Sequence, residues 1–298
     1  MTEFTMNKNL KMGRVVLKVK DLHRQTAFYC EVVGLSVIKK TPTTVTLGTD
    51  GETVLVELRQ TADKEQPNKG TGLFHLALLV PNREAFATKF FEVLRNKETI
   101  DSPNEQAGRF PHFERILPIA RLDSASDHGY SEAFYLYDLE GNGIEIYADR
   151  PRTEWDKYPA GSHPLNFKEL APLASYDTDG KLPAETVMGH VHLRIDKMEE
   201  TLAFYTEALG FEKQEVYDDV FFVSAGGYHH HIAGNIWSGE GLAAPLEKHT
   251  GLEHVEVKMP SVEALEELKN HVKQQVPMQE MDNFFVVEDP SKNKIIFT

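Results

Sequence analysis

Two stretches of the chain show the same order of apolar and polar positions. MGRVVLKVKDLHRQTAFYCEVVGLSVIKK begins at Met12, and MGHVHLRIDKMEETLAFYTEALGFEKQEV begins at Met188. Each opens with alternating apolar residues (VVLKV, VHLRI), the period of a strand. Each continues with apolar residues at the 3.6-residue spacing of a helix that ends in Ala-Phe-Tyr. A glycine follows, Gly34 or Gly210, where a helix C-terminus favours one, and then a second strand. Two further stretches share a different opening: GLFHLALLVPNREAFATKFFEVL from Gly72 and GLEHVEVKMPSVEALEELKNHV from Gly251. In both, a strand is stopped by a proline, Pro81 or Pro260, and a helix follows. Their ends also correspond, YLYDLEGNGIEIYAD at 135–149 and VVEDPSKNKIIFT at 286–298, each a strand, an acidic turn with Asn and a final strand.

The pattern predicts an α+β chain of four strand–helix–strands modules, at 12–60, 72–149, 188–238 and 251–298. Residues 150–187 are rich in Pro, Gly and polar side chains and read as a linker with one short helix. The second module carries an extra segment at about 100–122, read as a loop or lid.

Composition narrows the partners. With 298 residues there is room for two domains of ordinary size. The net charge of −14 disfavours nucleic acid. A single cysteine, Cys30, excludes an internal disulfide and suits a reducing cytoplasm. No apolar run is long enough to span a membrane, and the N-terminal residues show no secretory signal. A sheet edge left exposed by the modules outside the active pairing could support a homo-oligomer. Thirteen histidines is a high count and directs attention to metal ligation.

Aligning the opening strands on their leading glycine places His75, His192, His254 and Val16 at one position. The final strands place Glu145 opposite Ile296. Modules one and two together offer His75 and Glu145, modules three and four His192 and His254, and modules one and four only His254. Modules two and three alone offer two histidines and a carboxylate: His75, His192 and Glu145. That set leaves open positions on a metal and is the usual ligation of non-haem Fe(II). The active pairing is therefore expected between modules two and three, with His254 structural. A carboxylate in the apolar strand GIEIY is itself a sign of a bound cation or strong hydrogen bonds, because burying it alone is costly.

Three consecutive histidines, His229, His230 and His231, stand in SAGGYHHHIAGNIW. Read as strand, they place His230 on one face and the other two on the opposite face.

GNGIEIYADRPR, GHVHLRI and SAGGYHHHIAGNIW resemble the vicinal oxygen chelate superfamily. They are most similar to its type I extradiol ring-cleaving dioxygenases, in particular the bacillus-type catechol-2,3-dioxygenase-like group. The resemblance implies βαβββ modules paired into two barrels. It implies a metal held by His75, Glu145 and His192, with His230 as the acid–base residue. Tyr135 matches the tyrosine ten residues before the glutamate ligand, and His128 matches a further histidine near it, at a somewhat different spacing. The implied partners are a small aromatic diol and O2, and the implied product is a ring-opened semialdehyde. Fe(II) is the implied ion; Mn(II), Zn(II) and Ni(II) are the others such sites accept. The ligand order along this chain, His, Glu, His, departs from the His, His, Glu of familiar two-domain members and leaves the substrate open. Two rival readings are a glyoxalase-type lyase or isomerase, which takes four protein ligands, and a non-catalytic protein that sequesters a small molecule.

Overall fold

A computed structural model describes residues 4–67, 70–101 and 122–298. The segment at about 100–122, expected as a loop or lid, falls almost wholly outside the described residues.

Each repeat folds as strand, helix and three strands. The first has β1 (Lys11–Val19), α1 (Leu22–Phe28), β2 (Ser36–Lys40), β3 (Thr44–Gly48) and β4 (Val56–Gln60). The second has β5 (Gly72–Leu79), α2 (Arg83–Asp101), β6 (Leu122–Asp127), β7 (Ser131–Tyr137) and β8 (Gly143–Asp149). The connection that follows holds a 3-10 turn at Arg152–Lys157 and the short α3 (Phe167–Leu170). The third repeat has β9 (Val187–Arg194), α4 (Met198–Ala203), β10 (Glu212–Val216), β11 (Val220–Ser224) and β12 (Ile232–Asn235). The fourth has β13 (Gly251–Lys258), α5 (Val262–Val272), β14 (Met278–Glu280), β15 (Phe285–Glu288) and β16 (Lys294–Phe297).

Local chemistry sets the helix ends. Asp21 caps α1 by accepting from the Arg24 amide, and Ser261 caps α5 by accepting from Ala264. After α1 the chain winds one π-helical turn over Tyr29–Val33 and stops at Gly34, whose φ of 94° is left-handed. A Cβ at Gly34 would collide with the Gly180 carbonyl oxygen, so both conformation and space require glycine.

The strands assemble into two eight-stranded sheets. One has the order β14-β15-β16-β13-β1-β4-β3-β2 and draws on the first and fourth repeats. The other runs β10-β11-β12-β9-β5-β8-β7-β6 and draws on the second and third. Hairpin neighbours such as β7 and β8 are antiparallel, as are β1 and β13, whereas β12 with β9 and β13 with β16 are parallel.

Internal contacts divide the chain into two compact units. Met1–Lys20, Arg59–Leu76 and Met188–Thr298 form one, and Asp21–Leu58 with Ala77–Val187 form the other. Each contains the same buried polar clasp. In the first, the Asp289 carboxylate accepts from the amides of Ser291 and Asn293, from Asn293 Nδ2 at 2.9 Å and from the Tyr205 hydroxyl at 3.2 Å. In the second, Asp138 accepts from the amides of Glu140 and Asn142, from Asn142 Nδ2 at 2.8 Å and from the Tyr29 hydroxyl at 3.1 Å. The two tyrosines close the Ala-Phe-Tyr repeats, and the two aspartates open the acidic turns.

Burial outweighs these donors at Asp289 and lifts its carboxyl to about 6. A folded-state value above the ordinary 3.8 means that folding takes up a proton between the two. This stabilisation is complete below about pH 4 and is lost as pH rises through about 6, a change of about 3 kcal/mol for two units. Asp289→Asn removes the titration. Urea unfolding of both proteins at pH 4 and pH 7 should show the variant gaining by that amount relative to wild type as the pH rises. A pH-independent difference would contradict the assignment.

Candidate metal centre

β7 and β8 form a hairpin in which Tyr135 lies directly across from Glu145. Directly opposed residues share a face, so the phenol and the carboxylate are cross-strand neighbours. Both flanking isoleucines, Ile144 and Ile146, are fully buried, and Glu145 is only 3% exposed. Such a carboxylate requires partners. One is Tyr135, whose side chain hydrogen-bonds Glu145. Burial, and then the Glu145 charge, pushes the Tyr135 phenol well above its ordinary value.

Tyr135 has a second partner. Its hydroxyl lies 2.9 Å from His128 Nε2, while His128 Nδ1 lies 3.0 Å from the Gly161 carbonyl oxygen. A carbonyl only accepts, so Nδ1 carries a proton. In the neutral ring Nε2 is then an acceptor directed at the phenol. The phenol has one proton and stands between two acceptors, so it donates either to the Glu145 carboxylate or to His128 Nε2, and the three groups form a row that this proton serves from either end.

His75 on β5 and His190 and His192 on β9 are all buried. The His75 ring is 5.6 Å from that of His190 and 5.0 Å from that of His192. His75, Glu145 and His190 each offer a ligand atom, and the three atoms lie within 4.8 Å of one another. Donors about 2.1 Å from one ion stand about 3 Å apart when adjacent, so small side-chain rotations suffice to close this set on a cation. Two imidazoles and one carboxylate suit a divalent first-row metal.

His192 is not in that group. Its Nε2 lies 2.9 Å from Asn235 Nδ2, and Asn235 Oδ1 accepts from the Trp237 amide. The amide proton fixes the carboxamide orientation, so Nδ2 donates and the His192 Nε2 lone pair is engaged. The ring is surrounded by Phe74, Phe222 and Trp237 at 5.0–6.1 Å. Alignment on the leading glycine pairs His192 with His75. Alignment on the buried residues behind the histidine pairs His190 instead, because His75-Leu76-Ala77-Leu78 matches His190-Val191-His192-Leu193. Leu76, Leu78, Val191 and Leu193 are all fully buried, which supports this register. That was the available signal for His190.

The histidine row does not lie in a strand. It occupies the turn between β11 and β12, after Gly226 and Gly227, both left-handed at φ 65° and 66°. Face alternation therefore does not apply, and His229 and His230 are both buried. Their Nδ1 atoms are 2.8 Å apart, so one donates to the other. The His230 ring lies 4.0 Å from that of His190 and 5.0 Å from Phe222. Burial first, and then the neighbouring histidines, holds the His230 imidazole well below its ordinary value, so it is neutral. His231 instead accepts from the Ala225 amide through Nδ1.

His254 belongs to the other sheet, paired with Val16. Burial and the charges of Arg59 and Arg14 lower its imidazole to about 4. Among the described residues no helix is long and apolar enough to cross a membrane.

Known proteins match the chain over nearly its whole length. The family model for the Glyoxalase/Bleomycin resistance protein/Dioxygenase superfamily matches residues 11–114 and 187–297. A protein of Bacillus subtilis (strain 168) named catechol-2,3-dioxygenase is 33% identical over 296 residues, 96% of each chain. A solved protein of Bacillus subtilis subsp. subtilis superposes with a TM-score of 0.61 at 12% identity, over 99% of this chain and 86% of that one. Glyoxalase I from Zea mays does so with 0.54 at 16% identity, over 97% and 92%; at such identities these two speak for the fold alone. The repeats, the sheets and these matches agree, and the chain belongs to the glyoxalase/bleomycin resistance/dioxygenase superfamily.

Proposed function

We propose that the chain is an extradiol dioxygenase that opens the ring of a catecholic substrate with O2, using a divalent metal, Fe(II), held by His75, Glu145 and His190. The observation that carries this reading is the buried His–Glu–His group flanked by two separate acid–base systems. The 33% identical relative named catechol-2,3-dioxygenase supports the same substrate class. When bound, Fe(II) supplies a Lewis-acidic centre with open positions for small ligands.

The chain's own groups supply the proton chemistry. Neutral His230, its ring tilted against that of His190 at 4.0 Å, accepts a proton from one diol hydroxyl and returns it later. His128 accepts the Tyr135 hydroxyl proton through Nε2, and the phenol oxygen in turn accepts from a substrate hydroxyl. Both atoms of O2 enter the product, a ring-opened semialdehyde, so no external reductant is needed. A glyoxalase-type reaction would require a fourth protein ligand. Among the described residues the ligand group comprises three, His75, Glu145 and His190.

The test is oxygen uptake with a panel of catechols after anaerobic Fe(II) loading, with a yellow ring-opened product as the signature. His230→Ala should keep its metal and lose about 100- to 10,000-fold in turnover, the range of a lost acid–base group. Full activity of that variant would remove His230 from the mechanism. Tyr135→Phe should also retain metal, with kcat reduced more than KM changes.

A further inference from the structure

The stretch after β8 reads as linker, yet part of it grips the loop that carries His128. Arg150 Nη1 and Nη2 donate to the two carboxylate oxygens of Asp127, each at 2.7 Å, and Nη1 also donates to the Gly129 carbonyl at 3.0 Å. His128 thus lies between two residues held by one guanidinium. The central carbon of that guanidinium lies 4.0 Å from the centroid of the Tyr158 ring, and the Arg150 carbonyl accepts from Trp155 Nε1. From the other side, the Asp127 and His163 backbones exchange both hydrogen bonds of an antiparallel bridge. Ser126 and Ser162 hydroxyls meet at 2.8 Å, and the Gly161 carbonyl accepts from His128 Nδ1. Burial alone would raise the Asp127 carboxyl, but the Arg150 hydrogen bonds, the Gly129 amide and the Arg150 charge together outweigh it and hold the group below the usual carboxylate range.

A bidentate Arg–carboxylate pair fixes direction as well as distance, which a lysine cannot reproduce. We propose that Arg150 is a positioning residue: with the strap at 161–163 it holds the His128 ring so that Nδ1 faces the Gly161 carbonyl and Nε2 faces the Tyr135 hydroxyl. The strap is exposed, so hydrogen bonds rather than burial hold it against the His128 loop. Its role in turnover rests on the reading of Tyr135 and His128 as part of the acid–base machinery; its effect on the ring does not.

The experiment uses the full-length chain, 15N-labelled at histidine and loaded with diamagnetic Zn(II). Two-bond imidazole spectra are recorded for wild type, Arg150→Met, Arg150→Lys and the milder Asp127→Asn, with His128→Gln to assign the signal. Wild type should show His128 as a single Nδ1–H tautomer. Arg150→Met and Asp127→Asn should mix in the Nε2–H form, and Arg150→Lys should lie between. Metal content should match wild type in all of them. In the Fe(II) protein Arg150→Met should lower kcat by about 10- to 100-fold with KM nearly unchanged, the scale of a misplaced reacting group. A wild-type His128 pattern in both Arg150→Met and Asp127→Asn overturns the proposal, whatever the chain catalyses. If wild type consumes no oxygen with any catechol, the dioxygenase reading fails, while the tautomer comparison still decides the role of Arg150.

Discussion

His190→Ala should arrive from purification without its metal, and His192→Ala should arrive with it. The two histidines are neighbours on one face of β9, so the pair is a stringent comparison. His190 offers its ligand atom to the group that also contains His75 and Glu145. The Nε2 of His192 is already engaged by Asn235. Removing an outer-shell partner of a metal ligand costs about 10- to 100-fold in affinity or activity, and removing the ligand itself should exceed that. We therefore expect metal content in His190→Ala, and likewise in Glu145→Ala, to fall to background with oxygen uptake reduced more than about 100-fold. His192→Ala should stay within about the outer-shell range. Metal analysis of the three variants beside wild type decides it. A metal-replete His190→Ala with a metal-free His192→Ala would restore the ligand set expected from the glycine alignment.

The second large effect concerns stability. Phe134 on β7 is fully buried, with its ring 5.7 Å from Phe86 and 5.5 Å from Phe90. Phe90 in turn stacks on Phe167 at 5.6 Å, but Phe167 is 53% exposed. Phe134→Ala removes a whole aromatic ring from a place where α2 and the sheet cannot readily close the gap. The expected cost is about 3–5 kcal/mol. For a chain of this size that lowers the unfolding midpoint by roughly 10 °C. Phe167→Ala should cost less than about 1 kcal/mol, because half of that ring already contacts water. Differential scanning calorimetry separates the two. Equal losses would mean that the aromatic cluster is not the source of the stability.

Much of the architecture is legible in the sequence because it is repetitive. Strand alternation, helix spacing, the two glycines at helix ends and the paired acidic turns all recur, and each has a direct physical cause. The site is legible to the extent that it obeys those periods. Glu145 stands out as a carboxylate inside an apolar strand, and Tyr135 lies across a tight hairpin from it. What the pattern conceals depends on register and on irregular backbone. One slip of two residues along β9 exchanges His190 for His192 without changing the face, so alternation cannot distinguish them. The glycine pair before the histidine row turns the chain out of strand geometry, and His229 and His230 meet as a result. The grip on His128 is hidden for a third reason. It is built from backbone carbonyls and amides of a polar stretch whose composition matches any linker.

The pairing of β1 with β13 also governs how the chain must be made. Lys11 lies opposite Lys258, so roughly 250 residues separate the two partners. At translation rates of about 5–20 residues per second, β1 emerges some 12 to 50 s before its neighbour exists. During that interval its apolar residues Val15, Val16, Leu17 and Val19, all fully buried in the finished protein, have no β13 to pair with. Such a nascent strand is a binding site for chaperones, and a hazard when ribosomes are crowded on one message. The basic residues Lys11, Arg14, Lys18 and Lys20, spaced through and just beyond that strand, are the kind of charges that restrain strand-to-strand association until synthesis is complete.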